Sequence, residues 1–450
     1  MFYKRICDVY DEEYQKFLLE SNGDTDYAKS EINHQFQIPS GSHWNDVRQT
    51  TKDVGQKILK SMRQIEKLNP DTLYGIFGDA NWGNKERLSD EILKNLIEHF
   101  SKLNLSTKYV PDDLMGNAYE YLIKQFADDS GHTAAEFYTN RTVVTLMSEL
   151  LDPNTNESVY DPTCGTGGML LECINHLKRQ KKDYRGLSLF GQEKNVITSD
   201  IARMNMLLHG FEDTKIKRGD TLSEPLFLSN DKLQKFNVIL ANPPYSVNRW
   251  NGKSFSNDPY GRNIYGTPPQ SRADYAFIQH IISSMNETGR SAILLPHGVL
   301  FRDGENSIRK KLVEDDKLET VIGLPKDMFY NSLMESCIMI FRTNKNNKRK
   351  NKIQFINAVN EFERKNNKNF LSQSHIYKIS KSYNLFTNMD GFSYIAKNDE
   401  VIKNNCILSI AMYVKHKTND KTPIPKIAIE QWLQSSQSIK NSITKLVQGD

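Results

Sequence analysis

Apolar residues in the first 130 positions recur at helical spacing. In "DVGQKILKSMRQIEKLNP", Val54, Ile58, Leu59, Met62, Ile65 and Leu68 fall in steps near three and four, and Pro70 ends the run. That spacing makes one apolar helix face. "LSDEILKNLIEHFSKLNL" repeats the habit, opening on the capping pair Ser89-Asp90 and carrying Ile92, Leu93, Leu96, Ile97 and Phe100. "DDLMGNAYEYLIKQFADDSG" reads as a third such helix, stopped by Gly131. No strand pattern stands out, so residues 1–130 predict an all-helical domain.

After Gly131 the period changes. Short apolar, β-branched runs alternate with helical stretches: 158–162, 187–193, 214–220, 236–244, 291–296, 318–325 and 336–344, with 352–359 as a candidate edge. Strands alternating with helices predict an α/β fold, a mostly parallel sheet covered on both faces. The predicted domain covers 131–362. Ligands of such sheets bind beyond the carboxyl ends of the strands. Four of the runs close on chemically loaded residues: Asp161, Glu193, Asp220 and Asn242. Residues 363–450 are rich in Asn and Lys, with short helical stretches such as "IEQWLQSSQSIKNSITKLV", and read as a C-terminal, partner-binding tail. The basic run "TNKNNKRKNK" (343–352) reads as a solvated loop, with a phosphate-contacting loop as the alternative.

Composition narrows the class. A chain of 450 residues predicts two or three domains. Net charge is +4, which neither requires nor opposes a nucleic-acid partner, because local patches matter more than totals. The five cysteines are scattered and lack CxxC spacing, so no zinc site, no other metal site and no disulfide framework is expected. No apolar run approaches a membrane span, and the start "MFYKRICDVYDEEYQ" has no signal-peptide core. A cytoplasmic protein without a membrane partner is the expectation.

The loaded strand ends carry the chemistry. In "VYDPTCGTGGML", Asp161 closes a strand, and Gly165, Gly167 and Gly168 then form a tight loop before an apolar helix. Glycines let backbone approach a ligand closely, but this spacing is not that of a pyrophosphate-binding G-x-G-x-x-G. The loop suits a nucleoside, although an ordinary Gly-rich turn reads the same. Glu193 ends the next strand, where an acidic side chain can accept both ribose hydroxyls. Asp220, in "RGDTL", is placed to accept from an adenine amino group. Each carboxylate alone reads as a solvated surface group, but their placement at successive strand ends describes a pocket for an adenosine moiety carrying a charged tail, with S-adenosylmethionine the natural candidate.

The fourth end is "ANPPY". Asn242 offers a side-chain carbonyl, and Pro243 and Pro244 fix the backbone so that the Pro243 carbonyl is a second acceptor. Two fixed acceptors hold the two hydrogens of a planar amino group, pulling its nitrogen toward a tetrahedral shape and freeing its lone pair. Catalysis is then positioning and electrostatics. Tyr245 offers a stacking face for a base taken out of its helix. The plain alternative is a strand closed by a proline turn.

The ordered set of motifs resembles the modification (methyltransferase) subunit of type I restriction-modification systems. It runs through "YEYLIKQFADDSGHTAAEFYTNRTVV", "DPTCGTGGML", "GQEKNVITSDIARMNMLLHG", "GDTL", "LANPPYS", "ADYAFIQHIISSM", "AILLPHGVLFR" and "LPKDMFYNSLMESCIMIF". It covers about residues 40–410 and is most specific over 115–345. The resemblance implies a Rossmann-like S-adenosylmethionine-dependent sheet and a site-specific N6-adenine DNA methyltransferase. It implies cofactor contacts at Glu136, Phe137, Tyr138, Thr139, Asn140 and Arg141, and at Thr166, Gly167, Gly168 and Glu193, with Asp161 and Asp220 in the same pocket. Catalysis falls on Asn242, Pro243, Pro244 and Tyr245, with Phe329 a second stacking surface or, equally, a core aromatic. Implied partners are duplex DNA, a specificity subunit binding two methyltransferase subunits, and a restriction/translocase subunit.

There are departures from the family pattern. Asn140 stands where the family has proline, which is expected to loosen that loop. Met1 directly precedes "FYKR", where the family carries a few dozen more residues; a shortened gene or a subunit without the first helices both fit. "ILSIAMYV" replaces an N-I-P-R-Y pattern, so tail contacts are expected to differ. Competing functions are a protein-glutamine or RNA amino-group methyltransferase, and a non-catalytic assembly subunit. Cys164 reads as a small loop residue, Cys173 as core, and His132 and His297 as structural.

Overall fold

The computed structural model describes residues 1–129, 139–245, 247–328, 335–365 and 368–415. Strands in chain order are β1 (Ser158–Asp161), β2 (Ser188–Glu193), β3 (Lys215–Arg218), β4 (Leu228–Ser229), β5 (Lys232–Leu233), β6 (Phe236–Ala241), β7 (Met285–Pro296), β8 (Leu318–Gly323), β9 (Ser336–Arg342), β10 (Lys352–Asn357), β11 (Glu363–Lys365), β12 (Lys368–Phe370) and β13 (Ser393–Lys397). Among the described residues, nine strands form one sheet in the order β13-β10-β8-β9-β7-β6-β1-β2-β3, while β4-β5 and β11-β12 are small hairpins. The pairings β3-β2-β1-β6-β7 are parallel. β9 runs antiparallel to both neighbours and β13 antiparallel to β10. All eight predicted runs are strands of this sheet.

Side-chain alternation explains why two layers of helix cover the sheet. In β6, Val238 and Leu240 enter one core with Val143, Met147, Leu170 and Met206. Ile239 and Ala241 enter the opposite core with Tyr275, Ile278 and Leu312. The central strands β6, β8 and β9 are buried on both faces, which is why they read as continuous apolar runs rather than alternating ones.

The amino-terminal region is helical, as its spacing predicts. Helices Phe2–Glu20, Val54–Leu68 and Asp90–Ser101 enclose their own core around Ile6, Ile58, Ile65, Leu93 and Ile97. The helix Asp112–Asp129 joins this region to the sheet. Met115 belongs to the helical core together with Leu208, the last residue of the sheet-flanking helix Val196–Leu208.

Two expectations change. The stretch after 362 is built into the fold as far as 415: β13 extends the sheet, and the helix Gln373–Leu385 packs on the helix Arg141–Leu151. Its Asn and Lys residues hide an apolar set, Ile376, Ile379 and Tyr383, at helical spacing. Residues 416–450 lie outside the described residues. The basic run is only partly a solvated loop: Lys348 and Lys350 are exposed, but two of its cations point inward. Arg349 lies 4.5 Å from the Tyr383 ring and 4.4 Å from that of Phe386, with the buried Glu319 at 3.2 Å. Lys345 donates to Asp316 at 2.6 Å and to the Lys352 carbonyl at 2.9 Å.

Candidate active site at the carboxyl ends of the strands

The sheet brings Asp161, Glu193, Asp220 and Asn242 to one edge, at or just beyond the carboxyl ends of the neighbouring strands β1, β2, β3 and β6. Between Asp161 and the helix Gly168–Arg179 runs the glycine loop. Gly165 and Gly167 adopt left-handed φ of 53° and 81°, where a side chain would strain the backbone. Gly167 caps the helix. The loop is tied down from outside: the Cys164 amide donates to the Gln192 carbonyl at 3.0 Å, and Asn205 Nδ2 donates to the Thr166 carbonyl at 3.0 Å.

Two carboxylates face this loop. Glu193 is buried and accepts from the Gly165 amide at 3.0 Å and the Asn195 amide at 2.7 Å. Burial pushes its carboxyl up. Asp161 is 1% exposed and accepts from the Thr163 amide at 3.0 Å. Burial, reinforced by the neighbouring Glu193 charge, pushes it up to about 8. A buried acidic pair with raised pKa values is stabilised in its charged form by a cation. The acceptor pair therefore fits a ligand that carries positive charge. Cys164 is a buried thiol whose pKa burial raises well above the usual value, so it is no nucleophile.

Asp220 organises the turn after β3. Its Oδ1 accepts from the Leu222 amide at 3.0 Å, and its Oδ2 takes Lys194 at 2.7 Å. A buried buckle that the sequence reading did not single out lies beside it. Arg262, paired with Asp258 at 2.5 Å, donates to the Thr221 and Leu222 carbonyls at 2.8 and 2.9 Å. It fastens the long loop after Tyr245 to the wall of the predicted adenine pocket.

At the end of β6 the Asn242 amide is oriented by one neighbour. Its Nδ2 donates to Thr139 Oγ1 at 2.9 Å. Its Oδ1 is buried and meets no hydrogen-bond partner among the described residues. Pro243 is buried and Pro244 exposed. Tyr245 is half-buried, with its hydroxyl oxygen enclosed, and burial raises its phenol well above the usual range. Among the described residues the site therefore presents a buried, unsatisfied acceptor beside a half-buried aromatic ring.

The stretch Thr139–Arg141 stands between the two halves of the site. Asn140 is itself held at three points. Its Oδ1 caps the helix Arg141–Leu151 through the Thr142 amide at 3.0 Å, and its Nδ2 donates to the Met328 and Asn369 carbonyls at 3.0 and 3.2 Å. Arg141 pairs with Glu120 and lies against Gly168. Glu136, Phe137, Tyr138 and Phe329, expected to line the site, and His132 lie outside the described residues. His297 sits 3.7 Å from Glu335. No group of metal-ligating side chains occurs among the described residues.

Comparison with known proteins fits this geometry. Residues 110–422 match the family model described as N-6 DNA Methylase, and residues 1–100 match the HsdM N-terminal domain. The chain belongs to the N-6 DNA methylase family. It is similar to the MjaVII methylase subunit of a type I restriction enzyme from Methanocaldococcus jannaschii, at 31% identity over 92% of this chain and 73% of the relative. The MpnII methylase subunit of Mycoplasma pneumoniae is 29% identical over 90% of this chain and 77% of its own length. Among solved structures, the type I restriction-modification methyltransferase subunit of Streptococcus thermophilus superposes with a TM-score of 0.79 at 29% identity. That match covers 92% of this chain and 93% of the other. As a family member the chain has the S-adenosylmethionine-dependent methyltransferase fold, and S-adenosylmethionine is the methyl donor.

Proposed function

We propose that this N-6 DNA methylase family member methylates N6 of adenine in duplex DNA as the modification subunit of a type I restriction-modification complex. The observation that carries the reading is Asn242. Its amide is pinned through Nδ2 to Thr139, and its buried Oδ1 has no partner among the described residues at the end of a central strand. A buried acceptor without a donor costs about 1–3 kcal/mol, so the site is set to receive one. An adenine amino group supplies the missing hydrogen, and the Pro243 carbonyl takes the second.

S-adenosylmethionine, when bound, supplies an electrophilic methyl group on a sulfonium. The chain's own residues do the rest. Glu193 accepts the ribose hydroxyls, Asp220 the adenine amino group of the cofactor, and Asp161 offsets its positive charge. The glycine loop lets backbone close on the nucleoside. Tyr245 stacks on a target adenine taken out of the duplex, and the unpaired Asn242 acceptor favours an amino group over a carbonyl at that point. Glu136, Phe137, Tyr138 and Phe329 complete the two pockets in this reading.

The enzyme acts at specific sites, as an adenine-specific DNA methyltransferase in the cytoplasm. In this reading a separate specificity subunit reads the sequence, with two methyltransferase subunits to one specificity subunit. A restriction/translocase subunit joins for cleavage. The test uses the full chain with its specificity subunit, and N6-methyladenine in DNA is measured by mass spectrometry. Asn242→Ala is expected to lose methylation by at least about 100-fold while calorimetry shows the cofactor still bound. Full activity in that variant overturns the reading.

A further inference from the structure

One carboxylate reaches the glycine loop from a helix that precedes the sheet in the chain. Glu120 lies on the helix Asp112–Asp129, which joins the amino-terminal helical region to the sheet. Its Oε1 accepts from Arg141 Nη2 and, at 3.4 Å, from Asn205 Nδ2. Both partners hold the loop. Asn205 donates to the Thr166 carbonyl at 3.0 Å. Arg141 turns its other terminal nitrogen onto Gly168, where an added Cβ would sit only 1.7 Å from Nη1.

The helix that carries Glu120 is seated in a fixed register. One turn earlier, Gly116 packs flat on His209, so that a Cβ there would meet the imidazole at 2.4 Å. His209 Nδ1 is in turn 2.8 Å from the Asn205 carbonyl. Asp113 pairs with Lys178 at 2.7 Å on the helix that follows the glycine loop. These contacts leave Glu120 no freedom to slide along the loop.

The strand order says which end of the ligand this concerns. β2 and β3 lie on one side of β1, and β6 lies on the other. A ribose at Glu193 and an adenine near Asp220 leave the amino-acid end of the methyl donor toward the β6 side. There Thr139 meets Asn242, and Arg141 follows two residues later. We propose that Glu120 is a positioning residue for the methyl donor: by fixing Arg141 against the glycine loop, it makes the helix Asp112–Asp129 part of the site that receives the cofactor's carboxylate end. The inference rests on the reading that this loop holds S-adenosylmethionine. An arginine carries its donors in a rigid planar fork, so an acidic partner at one nitrogen fixes the plane in which the rest of the group lies.

The test is a binding comparison in the full chain with its specificity subunit. S-adenosylhomocysteine carries the amino-acid end, whereas 5′-methylthioadenosine keeps the nucleoside and lacks it. Glu120→Gln is expected to weaken S-adenosylhomocysteine about tenfold, the scale of one hydrogen bond to a charged group. It is expected to leave 5′-methylthioadenosine within about twofold and thermal unfolding unchanged. In an Arg141→Ala background the same substitution is expected to add nothing. Equal losses for both nucleosides, or unchanged or tighter S-adenosylhomocysteine binding, overturn the inference. If Glu120→Gln does not fold, Glu120→Asp, which keeps the charge and withdraws it from Arg141, is read by the same criteria. Wild-type protein that binds neither nucleoside overturns the underlying reading of the loop instead.

Discussion

At the scale of single residues, the site is a set of groups held away from their ordinary state. Asp161 is the plainest case. Its carboxyl is raised from 3.8 to about 8 by burial and by Glu193. Between those values the folded protein holds a proton that the unfolded chain releases. Its contribution to stability is therefore full below about pH 4 and lost as pH rises to about 8. Asp161→Asn removes that dependence. Melting temperatures of the cofactor-free protein should show the variant gaining on the wild type as pH rises from 4 to 8. Calorimetry should show weaker cofactor binding in the same variant, because the amide cannot offset a sulfonium. Thr139 is the second case. Thr139→Val removes the acceptor that orients Asn242, so the amide can turn its Nδ2 toward the target. Turnover is expected to fall by at least about tenfold with cofactor affinity little changed, since misorientation alone is costly to a positioned reaction. Single-turnover rates at saturating cofactor check this.

At the scale of elements, glycines and caps decide how closely helices approach the loop. Gly116→Ala forces a methyl into the His209 ring. Overpacking of this kind costs about 1–3 kcal/mol, and chemical denaturation should register it. Asn140 caps one helix and clasps the β12 hairpin through the Asn369 carbonyl. Asn140→Ala should therefore lose more than the roughly 1 kcal/mol of an isolated cap. A proline at this position could not make those bonds. They reach residues far along the chain, which local sequence does not reveal.

At the scale of the whole molecule, the stretch beyond residue 362 is structural as far as 415. β13 covers the edge of β10, and Ile376, Ile379 and Tyr383 fill the core beneath the helix Arg141–Leu151. Truncation after residue 362 should yield insoluble or unfolded protein rather than a trimmed enzyme, as an uncovered strand edge and an opened core both favour aggregation. Circular dichroism and sedimentation of the truncated chain test this. The composition of that stretch misleads because Asn and Lys occupy its outer faces, while a few apolar residues at helical spacing do the packing.

The sequence by itself determined the eight strands, the helical amino-terminal region and the four residues that end the central strands. Apolar periodicity and glycine and proline placement are local, and each was readable within one segment. Its motif order also pointed to the family. Only the tertiary structure decided how those residues are held. Thr139 meets Asn242 across 103 positions, Arg262 reaches Leu222 across 40, and Asn140 reaches Asn369 across 229. Glu120 joins Arg141 and Asn205 from a different region of the chain. Such contacts follow from how the chain folds back on itself, and no pattern within a single stretch encodes them.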